Sequence, residues 1–259
     1  MRYFSIAAIV LLSACTKVID LKTKDGTQQY VVEGNITDEA GPYTVSLSRT
    51  NSFNKDYHFE GVSGAMVIVK DDAGHSETLT EVSTGIYRTS SLSGVVGRTY
   101  SLDIVSGSQH FTAVSTMPVK VSFDSMYVRE LVNISKTVKA VVPVFTDPKG
   151  QGNYYRFNQY INGRLDKELY YQDDDFVDGL TNSFALLQPD PDSTLKADDH
   201  VEVDMQCIDH AMYKYWFSLD NAASGAANSI PSNPVTNIIG GALGYFSAHT
   251  SQRRSMNVK

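Results

Sequence analysis

The chain has 259 residues, 42% hydrophobic and 20% charged, with a formal net charge of −7 at pH 7. A field of that sign, with Lys and Arg scattered, makes nucleic acid and anionic lipid surfaces poor partners. With only two cysteines and no apolar stretch near ~20 residues, neither a disulfide framework nor a spanning helix is expected.

Met1-Arg2 opens the chain, an apolar run follows from Tyr3 to Leu12, and Leu12-Ser13-Ala14-Cys15 closes it. One basic residue, an apolar run, two small residues and a thiol form the pattern that a lipoprotein signal peptidase cuts, here between Ala14 and Cys15. Ten apolar residues are too few to cross a hydrocarbon core of ~30 Å, and an ordinary secretory signal or a buried strand has no need of that order. The expectation is a signal peptide over 1–14 and a diacylglycerol and palmitate-type anchor on Cys15. At ~0.8 kcal/mol per buried methylene, such an anchor holds a protein on the membrane without help from the polypeptide.

Cleavage would leave 245 residues and a formal charge of −8. That length suits two ordinary domains or one large sandwich. Residues 15–29 read as the lipidated cysteine and a polar tether (Thr16, Lys17, Asp20, Lys22, Lys24, Asp25, Gln28). From Tyr30, short β-type runs recur: 30–34, 43–48, 65–70, 76–81, 85–89, 100–105 and 111–115. Turn residues such as Asp38-Glu39-Ala40-Gly41-Pro42 and Asp71-Asp72-Ala73-Gly74 separate them. A turn every ~8–12 residues predicts a β-sandwich of immunoglobulin-like size over 30–118.

A boundary is placed at Met117-Pro118, with a second β-rich, sandwich-like domain over 119–259. Its predicted strands are 127–131, 139–145, 154–161, 165–171, 183–187, 200–208 and a last strand over 242–249. Asp209 caps a predicted helix near 209–223, with apolar groups at 212, 213, 216 and 219. Cys207, in the alternating run Val201 to Ile208, reads as an inward, inert thiol. The fold class is thus mostly β with one short helix.

Several phrases in order, Val31-Val32-Glu33-Gly34-Asn35-Ile36-Thr37, Gly41-Pro42-Tyr43-Thr44-Val45-Ser46-Leu47-Ser48 and Val62-Ser63-Gly64-Ala65-Met66-Val67, resemble the bacterial lipoprotein domain-of-unknown-function family 4249. Gly85-Ile86-Tyr87, Gly97-Arg98-Thr99-Tyr100-Ser101-Leu102, Asp147-Pro148 with Asn153-Tyr154-Tyr155-Arg156, and Thr236 to Phe246 continue the resemblance through most of the mature chain. It implies an outer-membrane lipoprotein of diderm bacteria with starch-utilisation-type loci, encoded beside a TonB-dependent receptor and serving as an accessory in uptake. It carries over no catalytic residue. Residues 61–105 also resemble the transthyretin-type sandwich, a spacer or docking unit.

The residues themselves announce no chemistry. There is no G-x-S-x-G, no H-E-x-x-H, and Gly240-Gly241-Ala242-Leu243-Gly244 lacks the Lys-Ser/Thr of a phosphate loop. No cofactor and no enzyme activity are expected. The loop 172–179 holds four carboxylates, and its preferred reading is a solvated acidic turn; were Ca²⁺ bound, Asp173, Asp175 and Asp178 would be the ligands. Among fifteen tyrosines, the pairs Tyr154-Tyr155 and Tyr170-Tyr171 could each place one ring inward and one outward, where it could stack on a sugar.

The functional expectation is therefore a non-enzymatic, membrane-anchored accessory of a TonB-dependent receptor at the outer membrane. Direct capture of a glycan or peptide is the alternative. Residues 16–20 lack a clustered acidic run, so the periplasmic or cell-surface side is left open.

Overall fold

The computed structural model describes residues 28–51, 59–133, 136–188, 194–223 and 232–259. Ala14, Cys15, the signal peptide and nearly all of the 15–29 tether lie outside the described residues.

The chain forms β1 (Tyr30–Thr37), β2 (Thr44–Arg49), β3 (Glu60–Gly61), β4 (Met66–Asp71), β5 (Ser76–Thr78), β6 (Thr80–Ser83), β7 (Ile86–Arg88), β8 (Thr99–Ser106) and β9 (Gln109–Thr116). There follow β10 (Ser125–Asn133), β11 (Lys136–Val144), β12 (Tyr154–Ile161), β13 (Arg164–Leu165), β14 (Tyr170–Asp173), β15 (His200–Ile208), the helix α1 (His210–Ala223), β16 (Leu243–His249) and β17 (Gln252–Asn257).

The first sandwich packs the sheet β16-β1-β2-β7-β6, with β3 on β2, against the sheet β5-β4-β8-β9. Period-two alternation makes each sheet one-sided: β8 buries Tyr100, Leu102 and Ile104 and turns Ser101 and Asp103 outward. Together with Val32, Leu47, Val69, Tyr87, Phe111 and Phe246 these side chains form one core. Burying each one fully contributes about 1.5–3 kcal/mol. The turn between β4 and β5 is closed by the Asp71 carboxylate, which accepts from the main-chain N–H of Ala73 (3.1 Å) and His75 (2.8 Å).

The second sandwich packs the β10-β11 hairpin over the sheet β13-β12-β15-β17, with β14 also on β12. Its core holds Phe123, Val141, Phe145, Tyr155, Phe157, Val203 and Met205. Cys207 is 2% exposed within it, and burial pushes its thiol pKa up, so it is a packing residue as its alternation indicated.

Four sequence-based expectations differ from the structure. Strand β16, placed by the boundary at 118 in the second unit, lies parallel to β1 in the first sheet, with seven residue pairs from Val31↔Leu243 to Thr37↔His249. Its inward Phe246 and Ala248 complete the first core, and that burial fixes where the strand belongs. β16 is also not the last strand: after Thr250 and Ser251 the chain continues as β17 in the second sandwich, pairing with β15. Residues 183–187 form no strand, only an isolated bridge from Leu186 to Val141, and 165–171 divides into the ends of β13 and β14.

The extended run from 243 to 257 thus threads both sandwiches, and polar groups are buried where it crosses. Ser251 donates to Asp204 (2.7 Å) and its N–H to Asp38 (2.8 Å), Gln206 donates to Asp204 (2.8 Å), and the Ser247 hydroxyl meets His249 Nδ1 at 2.9 Å. The His249 ring is 4% exposed, and burial holds its pKa down to about 4. Asp204 and Asp38 act to raise it and Arg156 to lower it. Folded His249 is therefore neutral where an unfolded histidine, near 6.5, is taking up a proton. Its contribution is complete above ~6.5 and is lost as pH falls toward ~4, a difference on the order of 3 kcal/mol. We expect His249→Gln to flatten the loss of urea midpoint between pH 7 and 4.5; a pH dependence identical to the wild type would remove His249 as its source.

Candidate functional site: an aromatic patch around the helix

Helix α1 starts at Asp209, whose Oδ1 accepts the Met212 N–H (2.9 Å) and so caps the first turn. Its other oxygen accepts from the Ser115 hydroxyl (2.6 Å) and the Thr116 N–H (3.1 Å) of β9, so the cap also ties α1 to the first sandwich. Met212, Tyr215 and Trp216 face inward. Trp216 packs on Tyr245 of β16 and beneath the Arg156 guanidinium of β12, 3.7 Å from the ring centre.

The opposite flank carries His210, Tyr213 and Phe217, spaced by three and four residues and therefore stacked along one face. They meet the outward rings of the adjacent sheet. In the β12-β14 register, Tyr154 opposes Asp173 and Arg156 opposes Tyr171, so Tyr154 and Tyr171 are diagonal neighbours on one face. Tyr154 stacks on His210 with centroids 5.0 Å apart at 12°, and Tyr213 on Phe217 at 6.2 Å and 25°. Tyr171 meets Tyr213 and Phe217 edge-on at 5.8 and 6.1 Å. Phe217, at the outer end, is 49% exposed.

Two carboxylates fix the phenols: Tyr213 donates to Asp173 (2.7 Å) and Tyr171 to Asp220 (2.7 Å). Burial, reinforced by the bond to Asp173, pushes the Tyr213 hydroxyl up to about 12, and burial also raises those of Tyr154 and Tyr171. The three phenols of the patch are therefore uncharged at neutral pH, two of them held by oriented carboxylates.

Of the four tyrosines singled out from sequence, the structure brings Tyr154 and Tyr171 to this patch and sends Tyr155 and Tyr170 into the core. Tyr155 donates to the buried Asp147, and Tyr170 to Asp166 at 2.9 Å. The sequence does not mark His210, Phe217 or Asp220 as site residues, and it places Tyr213 only in the apolar stripe of the helix. The available signal was the aromatic spacing 210, 213, 217.

The calcium candidates do not converge. Asp173 turns to Tyr213, Asp178 accepts the Gly150 N–H (2.7 Å) and Asp175 is exposed. The buried carboxylate of the loop is Asp174, accepting from Gly152 (2.7 Å) and Asn153 (3.0 Å). Among the described residues, no three His, Cys, Asp or Glu side chains are placed to hold a metal ion.

A larger cleft, about 480 Å³, lies beside the β4-β5 turn and is lined by Asp71, His75, Glu77, Ser91, Ser93 and Arg98. Its carboxylates are saturated from within. Asp71 accepts from Arg98 (2.6 Å) and pairs with His75 Nδ1 (2.9 Å). Burial alone would raise Glu77, but the main-chain N–H groups of Ser90, Ser91 and Leu92 outweigh it and hold the group down to about 2. These groups clamp the 90–98 loop.

Residues 16–255 match the family model described as a domain of unknown function, DUF4249. The chain belongs to this family. The DUF4249 match starts one residue after Cys15 and takes in both sandwiches, α1 and the aromatic patch. No curated protein matches the chain. Among solved structures, a two-domain fibronectin type III segment of chicken tenascin is similar at 11% identity, covering 89% of this DUF4249 chain and 99% of that one, with a TM-score of 0.26.

Proposed function

We propose that this DUF4249 chain is a non-enzymatic, lipid-anchored interaction protein of the outer membrane that docks through the aromatic patch to a TonB-dependent uptake receptor. The observation that carries the docking surface is the ring cluster Tyr154, Tyr171, His210, Tyr213 and Phe217, with a half-exposed phenylalanine at its outer end. Aromatic anchors fixed by packing and hydrogen bonds lose little conformational entropy on contact, the property that marks interface hot spots. The saturated carboxylates of the cleft beside the β4-β5 turn support a non-catalytic reading, since the bonds they accept hold that turn and the 90–98 loop in place. The start of the family match just past Cys15 supports a leader outside the folded module.

Phe217→Ala removes a half-exposed ring and is expected to change stability by less than ~1 kcal/mol. In pull-downs from detergent-solubilised outer membranes, the wild type should retain a TonB-dependent receptor and Phe217→Ala at least tenfold less. Equal recovery would move the interface elsewhere, and recovery without any such receptor would count against the partner. Cys15→Ser should shift the protein from the membrane to the soluble fraction.

Capture of a glycan is the second reading, favoured by the near-parallel rings flanked by Asp173 and Asp220, which could accept sugar hydroxyls beside a stacked pyranose. Saturable polysaccharide binding lost in Phe217→Ala would select it over the receptor.

A further inference from the structure

The second sandwich has an open seam. Among the described residues, β10 pairs only with β11 and β17 only with β15, so each presents an outer edge without a strand partner. Two grooves lie in series between these edges. One, about 320 Å³, is lined by Ser125, Met126 and residues 253–256; the next, about 230 Å³, by Val128, Glu130, Lys139, Met256 and Lys259. Both strands advance in the same direction along the seam, and from Ser125 to Glu130 it runs about 17 Å, the span of a five- to six-residue strand.

At its closed end the seam is bridged by side chains. The Gln252 amide donates to the Val121 carbonyl (2.6 Å) and accepts the Phe123 N–H (3.2 Å), and Arg254 Nε donates to the Phe123 carbonyl. A carbonyl and an N–H two residues apart are what one residue of a parallel strand engages, so Gln252 stands where a strand's peptide group would. Beyond Ser125 that substitution ends and the grooves begin.

The lining selects for composition. Met126 and Val128 are partly buried against the second core, and Met256 is half-buried between the two grooves, so an added strand would meet apolar groups at alternate positions. Four of the five charged side chains lining the grooves are basic (Lys139, Arg253, Arg254, Lys259, against Glu130), on a chain whose net charge is −7. Arg253 has an ion pair, with Glu202 at 3.3 Å, while Arg254 and Lys139 donate to main-chain oxygens.

We propose that the β10-β17 seam is a strand-addition site for an extended segment of a partner protein that alternates apolar and acidic residues. Main-chain hydrogen bonds to the free edges would supply affinity, and the apolar and basic lining would supply register and specificity. The site is separate from the aromatic patch and stands whether or not that patch binds a receptor.

The test uses the mature chain and a labelled eight-residue peptide of alternating valine and glutamate, followed by fluorescence polarisation. Saturable binding is expected, at least tenfold weaker for a valine-lysine peptide and for Arg253→Glu combined with Lys139→Glu, and unchanged in Phe217→Ala. N-methylating either alternate set of peptide nitrogens should weaken binding at least tenfold, because one set faces β10 and the other β17. On the unmutated protein, amide shifts should concentrate in 125–130 and 253–259, which decides the matter even if the double variant fails to fold. No saturable binding, indifference to N-methylation at both sets, or shifts centred on α1 would overturn the site. Binding gained only after residues before 28 are removed would assign the seam to the chain's own N-terminal segment and overturn the partner.

Discussion

Gly244→Ala is expected to destabilise the protein by more than ~3 kcal/mol, enough to erase much of the margin of an ordinary domain. Gly244 has φ +92, and a Cβ there would lie 2.0 Å from the Val32 carbonyl oxygen and 2.9 Å from its carbon. Both obstructing atoms are backbone of the neighbouring strand, so no side-chain rotation relieves the overlap; β16 must move away from β1 and give up part of its seven-pair register. Gly241→Ala separates the two causes. Gly241 has a similar φ of +87 with nothing within 4 Å of the added Cβ, so it carries only the backbone term of ~1–2 kcal/mol. Urea unfolding of both variants checks this, and equal losses would show that strand proximity at Gly244 contributes nothing.

Trp216→Ala is expected to cost about 3–5 kcal/mol, the range for deleting a large buried ring. The chain's single tryptophan is 7% exposed and joins three elements: α1 by its own backbone, β16 through Tyr245, and β12 through Arg156. Arg156 makes the loss worse, because burial already disfavours its charged form and the ring face offsets this together with the Gln206 side-chain oxygen at 3.4 Å. A double-mutant cycle between Trp216→Phe and Arg156→Met should give a coupling of about 1–2 kcal/mol by chemical denaturation followed by circular dichroism. A coupling near zero would reduce the guanidinium to a bystander.

The local parts of this architecture were legible in sequence. Alternation in Tyr30 to Thr116 gives strands because one face of each sheet is buried; Val201 to Ile208 alternates apolar and polar residues too, although its polar Asp204 and Gln206 are also buried. Asp209 followed by apolar spacing gives α1 because the cap and the stripe are both local. The destination of each element was not. Nothing within a few residues of Leu243 indicates a parallel partner 212 positions upstream, and turn logic finds only hairpin neighbours. The site was half legible for the same reason. Alternation separates Tyr154 from Tyr155, but that α1 lays His210 and Tyr213 over Tyr154 depends on packing between distant segments. Both flanks of α1 are aromatic, so hydrophobic spacing alone could not say which one faces inward. The acidic loop misled because its charge suggested a cation, whereas the main-chain N–H groups of Gly150, Gly152 and Asn153 claim Asp178 and Asp174.

The parallel pairing of β1 with β16 also sets an order of events during synthesis. A chain delivered from its N-terminus presents β1 through β9 early, yet the first sheet lacks its outer strand, and its core lacks Phe246, until residue 249 has arrived. Closing a loop of some 200 residues costs little more at equilibrium than closing one of 100, about 0.6 kcal/mol per doubling, but contacts so distant slow the search. The two sandwiches interleave in sequence, since β17 and Val258 of the second follow β16 of the first. A nascent chain stalled before Leu243 would therefore carry an open β1 edge on an unfinished sheet, and the last strands to emerge, β16 and β17, close both sandwiches in one pass.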